Sequence, residues 1–337
     1  MRHILHGRLS YLVFVFALVL AFPSAVSAAD PSDFVVRAAG MGGAYTALSS
    51  GPAGLIYNPA GIGLRIFEAT VNLSAPTMDD LTTLGMLLQD FDPDDYEDFP
   101  SSLEVGGMAG LSLGPIAIAG KVRALASVTE NEEIDVIQLI AAPEIAAGLG
   151  FYVFKTGLIN LRMGVSGHYL QGTDAYYELE DGEIVAESVL TGKGQYFSLG
   201  AMADITQFLT LGFSARNLAG SFTFEGEEEE KLDPVYTVGA ALKAPLPFIG
   251  ITLAADADSN KELRYGAEIN VAANLLSLRV GQIKPPASDD PTGTITTAGA
   301  SLNLGPLTAG LAARTLPGQS LSFNGIERVV VEGTIRF

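Results

Sequence analysis

The sequence predicts an all-β fold, a transmembrane antiparallel β-barrel of about fourteen strands with an N-terminal plug in the lumen. Three observations carry that expectation. Segments of roughly ten residues alternate apolar and polar side chains, which is the pattern of strands with one face in a greasy medium. The connections between them alternate between tight turns and long loops. Ahead of the first strand stands a compact block rich in glycine and alanine, Arg37 to Gly61.

The chain opens with an export signal. Arg2 and Arg8 give a positive start, Leu12 to Phe22 is an apolar core, and Val26-Ser27-Ala28 fits a small-residue cleavage site. Residues 1–28 are therefore read as a signal peptide that is removed. No later segment offers the roughly 18 uninterrupted apolar residues of a membrane helix. Even so, 48% of the chain is hydrophobic and mean hydropathy is +0.32. A barrel accounts for this by spreading apolar side chains over its outer face, one residue in two. There is no cysteine, which excludes disulfides, thiol catalysis, cysteine-ligated metals and a lipid anchor on cysteine. The net charge of −19 becomes more acidic once Arg2 and Arg8 leave with the signal, which argues against nucleic acid as a partner.

Residues 29–64 are read as the plug. Gly40, Gly42 and Gly43 permit positive φ or close approach to another surface. Asn58-Pro59 starts a turn. Ala44, Ala47, Leu48, Leu55 and Ile56 supply apolar surface that needs burial. Gly40-Met41-Gly42-Gly43 is no phosphate cradle, because Tyr45 takes the place of the third glycine and no Rossmann strand precedes it.

Residues 65–337 are read as the barrel. Strands are expected near Ile66–Ser74, Glu104–Leu113, Pro115–Val128, Glu144–Lys155 and Leu158–Gly172. Five more follow near Gly194–Thr206, Phe208–Leu218, Val235–Ala244, Ile249–Asp258 and Glu262–Val271. The last four lie near Leu275–Lys284, Thr292–Leu304, Gly305–Thr315 and Ile326–Phe337. Tight connections fall at Gly114-Pro115, Thr156-Gly157, Gln207-Phe208, Ala272-Ala273-Asn274 and Gly305-Pro306. Long ones run over Ala75–Leu103, Gln171–Lys193, Ala219–Pro234, Lys284–Pro291 and Leu316–Asn324. Short turns at one end and long loops at the other suit a barrel inserted from the periplasm.

Side-chain parity supports a polar lumen. Leu161, Met163, Val165 and Tyr169 share one face, and Arg162, Ser166 and His168 share the other. Leu263, Tyr265, Ala267, Ile269 and Val271 stand against Glu262, Arg264, Glu268 and Asn270. Lumenal cations and carboxylates nearly balance, which predicts an interior filled by ion pairs. His168 is the one histidine left in the mature chain. Ser166 is on its face, but two residues along a strand span about 7 Å, long for a nucleophile–base hydrogen bond. His168 is accordingly read as a packing residue and the chain as a non-enzyme, although a more distant serine stays open as a partner. The acidic stretches Asp90–Asp98 and Glu227–Glu230 fit no calcium loop and read as solvated loop faces, with no metal or cofactor. Gly333, Ile335 and the final Phe337 resemble the C-terminal assembly signal of outer-membrane barrels, which implies recognition by the barrel assembly machinery.

The segment AGMGGAYTAL, Ala39 to Leu48, followed by YNPAG, Tyr57 to Gly61, resembles the N-terminal hatch of the FadL-like long-chain fatty-acid transporters. The PorV/PorQ-type barrels share this entry motif. The resemblance implies an outer membrane of Gram-negative type, lipid around the barrel, and passive uptake of hydrophobic or amphipathic small molecules. It implies a gate at Gly40, Met41, Gly42, Gly43, Asn58, Pro59, Ala60 and Gly61. It makes Leu84, Leu87 and Leu88, in the first long loop, a docking site for the solute's apolar part. Arg162, Arg264 and His168 become candidates for its polar end. The other implied role is a PorV-like scaffold that engages a secretion-system protein through its loops.

Overall fold

In the computed structural model, the described residues are 34–77, 102–129, 135–156, 158–180, 183–246, 248–285, 293–319 and 325–337. Fourteen wall strands follow one another in antiparallel order. They are β1 Phe67–Ala75, β2 Ser102–Leu113, β3 Ile116–Thr129, β4 in two pieces (Asp135–Ala141 and Glu144–Lys155), β5 Ile159–Glu180, β6 Glu183–Ile205 and β7 Leu209–Phe224. The remainder are β8 Val235–Pro245, β9 Ile249–Asp258, β10 Leu263–Val271, β11 Leu276–Lys284, β12 Ile295–Leu304, β13 Leu307–Thr315 and β14 Ile326–Arg336. A two-residue strand, Glu230–Lys231, is an appendage of β7. The two pieces of β4 count as one strand because both lie between β3 and β5.

The ring closes where β1 pairs with β14. The last residue takes part, since Phe337 donates its N–H to the Phe67 carbonyl at 2.9 Å and the two rings pack at 5.8 Å. Closure removes the unpaired edges that no strand can leave in lipid. The expected strand number and order are those observed.

Alternation sets the two faces. Val71, Leu111, Ile118, Leu149, Met163 and Phe213 are exposed on the outside, an apolar band that needs lipid. Facing inward and buried are Thr70, Ser112, Ser198, Ser214, Thr237 and Thr297. Tight turns at one end use left-handed residues: Gly114 (φ 53°), Gly305 (φ 63°) and Ala272, Ala273 and Asn274 (φ 51–69°).

One expectation needs correction. Gln171–Lys193 is not a loop: β5 and β6 stay paired from Ile159–Ile205 to Glu180–Glu183, over 22 and 23 residues. A membrane strand needs about ten residues. This hairpin, braced by the first piece of β4 and the end of β7, therefore rises well above the lipid.

Candidate functional site

Residues 34–64 fold as a helix, α1 (Val36–Gly40), and two 3₁₀ helices, Gly51–Leu55 and Pro59–Leu64. Two carbonyls end α1: Met41 and Gly43 N–H donate to that of Ala38, and Gly42 N–H to that of Ala39. The chain then reverses through Gly42 and Gly43, at φ 63° and 74°. Phe34, Met41, Tyr45, Leu55, Tyr57 and Ile62 form one buried cluster with Met108, Ala117 and Ala146 of the wall. Tyr45 and Tyr57 meet edge to face at 5.1 Å.

Asn58 holds the second turn and is fully buried. Its Oδ1 accepts the Ala60 N–H at 3.1 Å, capping the Pro59–Leu64 turn. Its Nδ2 donates to the carbonyls of Thr46, within the segment, and Ala201, in β6, at 2.9 and 3.2 Å.

The wall makes room by losing side chains. Inward positions of successive strands carry Gly150, Gly164, Gly200, Gly212, Gly266, Gly281 and Gly299, and several are register partners: Gly150–Gly164, Gly164–Gly200 and Gly266–Gly281. A Cβ at Gly266 would lie 2.5 Å from the Met41 carbonyl oxygen, one at Gly150 2.6 Å from that of Pro59, and one at Gly212 2.7 Å from that of Thr46. The segment's backbone thus rests on the wall's backbone. Sequence reading placed the close-packing glycines in the segment; most belong to the strands.

Polar ties complete the seat. Asp256 Oδ2 accepts the backbone N–H groups of Tyr45 and Thr46 at 2.9 and 2.8 Å. Arg37 donates twice to Glu268, at 2.9 and 2.7 Å. Arg279 shares that carboxylate at 2.7 Å and reaches Ser301 at 2.6 Å. Burial opposes the Arg37 charge, but the Glu268 carboxylate outweighs it and holds the guanidinium above its ordinary pKa. Burial raises the Tyr45 phenol. Thr297 Oγ1 donates to the Gly40 carbonyl at 3.2 Å. Toward the short turns, a cavity of about 400 Å³ opens beneath the segment, lined by Arg37, Glu68, Asn270, Arg279, Asn303 and Glu332 among others. Its lining is polar.

The remaining sequence-derived candidates fall in different places. Arg162 is buried, with both Asp204 oxygens 3.0 Å from its Nη2. Arg264 pairs with Glu262 at 2.5 Å, close to the short bond between Arg123 and Glu104. An ion-paired interior is what the charge balance predicts. His168 does not merely pack: Ser166 Oγ stands 2.9 Å from its Nε2, because the side chains lean together across the strand spacing. Gly333, Ile335 and Phe337 lie in the closing strand or directly after it, with Ile335 and Phe337 facing outward. Leu84, Leu87 and Leu88 lie outside the described residues, as do the signal peptide and the acidic stretch Asp90–Asp98. Sequence reading missed Asp256's role and the wall glycines. A glycine recurring at the inward parity of one strand after another was the available signal.

No protein-family profile matches the chain, and no curated protein does. Solved structures do. The toluene transporter TbuX of Ralstonia pickettii is similar at TM-score 0.53 and 13% identity, over 91% of this chain and 99% of that one. The P. putida toluene transporter TodX is similar at TM-score 0.54 and 12% identity, again over 91% and 99%. With its closed fourteen-stranded wall and apolar outer band, the chain has the fold of these FadL-type outer-membrane barrels.

Proposed function

We propose that this protein is an outer-membrane transporter for passive uptake of hydrophobic or amphipathic small molecules, with residues 29–64 as its plug. The observation that carries this reading is the near-complete mutual coverage with two toluene transporters. The physics of the seat supports it. A backbone resting on a ring of wall glycines closes the lumen to water at that level, and each polar tie is a bond that a shift of the plug can break and remake. Asn58 and the Gly40–Gly43 turn are the proposed hinge points. The polar cavity beneath the plug argues against an apolar track running straight to the periplasm, so a solute must leave that axis or displace the plug. The test is uptake of radiolabelled toluene and of a fatty acid by cells with and without the gene. Loss of uptake on deletion, restored by the gene, supports transport; unchanged uptake of both removes it.

The raised β5–β6 hairpin favours a second reading, a scaffold that engages a secreted protein. Tyr176, Val185 and Val189 are exposed on it, beyond the length that lipid requires. Co-purification of a partner that is lost when the hairpin is shortened, with uptake unaffected by gene deletion, would select that role.

A further inference from the structure

Apart from the plug's seat, one cluster of the inner wall has a geometry that packing alone does not require. Ser166 and His168 project inward from β5, Glu144 from β4 and Tyr196 from β6. Ser166 Oγ lies 2.9 Å from His168 Nε2, and Glu144 Oε1 lies 2.8 Å from Nδ1. When Nδ1–H donates to the carboxylate, Nε2 becomes the acceptor and the serine hydroxyl donates to it. That is the connectivity of an acyl-transfer triad, nucleophile to base to orienting acid. The acid is held by two more donors, Lys121 Nζ at 2.9 Å and the Tyr196 hydroxyl at 3.0 Å. Tyr196 also lies flat on the imidazole, ring centres 4.1 Å apart and 9° from parallel, which fixes the ring's plane. Lys121 and Arg216 stand within electrostatic reach of His168, positive charge of the kind that a developing oxyanion needs.

The nucleophile is covered. Ser166 is 1% exposed. Leu55 Cδ2 of the plug and Ser166 Cβ crowd the same space over Gly148, at 2.8 and 2.9 Å from where a Cβ there would stand.

We infer that Ser166, His168 and Glu144 form a hydrolytic site for carboxylic esters in the lumen wall, kept closed by Leu55. Ser166 Oγ attacks the ester carbonyl carbon as its proton passes to His168 Nε2. The C–O bond to the alcohol breaks and that oxygen takes the proton from Nε2. Water, deprotonated by the same nitrogen, then attacks the acyl-serine, releasing the acid and restoring the hydroxyl. Glu144 positions the imidazole.

The test uses the full-length barrel in detergent, a fluorophosphonate probe, and p-nitrophenyl butyrate. Leu55→Ala is expected to carry the probe on the Ser166 peptide at least about tenfold faster than the parent chain. Release of p-nitrophenol should rise in parallel, and both signals should vanish in Ser166→Ala and His168→Ala. Glu144→Gln should retain some labelling at a lowered rate. A folded Leu55→Ala barrel, judged by heat-modifiable gel mobility, with no probe on Ser166 overturns the inference. So does labelling that persists at full rate in His168→Ala. Leu55→Val is read in the same way should Leu55→Ala not fold.

Discussion

Gly200 shows how single residues decide this architecture. A Cβ there would lie 2.8 Å from the Ala60 nitrogen and 2.9 Å from Pro59 Cδ, in space that Asn58 Oδ1 already occupies. Gly200→Leu should destabilise the folded barrel by about 1–3 kcal/mol or more, the usual cost of overpacking. Gly120 has nothing within 4 Å of its Cβ position, so Gly120→Ala should change little. Urea midpoints of the two variants in detergent make the comparison. Asn58→Ala removes the cap and both carbonyl contacts at once. It should cost about 1–3 kcal/mol, chiefly from carbonyls left without a donor. The inward side of each wall glycine follows from parity in the sequence. What no sequence pattern gave was the Ser166–His168 bond, because backbone spacing says how far apart two Cα atoms lie and not where their side chains lean.

At the scale of elements, the plug and the raised hairpin separate. The plug's ties reach β6, β9, β10 and β12 through Asn58, Asp256, Arg37 and Thr297, so it is fastened around much of the ring. The hairpin is fastened to the wall only through its neighbours' edges. Gly172 and Gly192 are register partners, so a two-residue turn joining them shortens the hairpin without altering the strands below. That variant should assemble and keep its uptake if the protein is a transporter; lost uptake with a folded barrel would tie the hairpin to the path of the solute. The strands were legible where alternation ran between turn signals. The hairpin was not, because Gly172, Gly192 and Gly194 read as loop punctuation, whereas in the fold they are paired strand residues.

At the scale of the whole molecule, an apolar band outside, ion pairs and hydroxyls inside and a closed ring define a membrane barrel. Its last step of assembly is the β1–β14 seam, pinned by Phe337 against Phe67. Phe337→Ala should slow the appearance of the heat-modifiable form in cells while leaving its final urea midpoint nearly unchanged; equal assembly rates would deny the terminus a signalling role. Fold class, strand number and the polar lumen were all legible in the sequence, from period-two alternation and turn spacing. How tightly the plug is seated was not, since it depends on backbones from many strands meeting one segment.

The central claim is that solute crosses by movement of that plug. The absence of cysteine lets one engineered pair test it. In the parent chain a Cβ at Gly40 would lie 3.1 Å from Gly299 Cα, and one at Gly299 would lie 3.1 Å from Gly40 Cα, so Gly40→Cys with Gly299→Cys can join plug to wall. Uptake of radiolabelled toluene into proteoliposomes should fall to background when the pair is oxidised and recover on reduction. Equal uptake in the oxidised and reduced states, with the crosslink verified by mass spectrometry, would contradict the account.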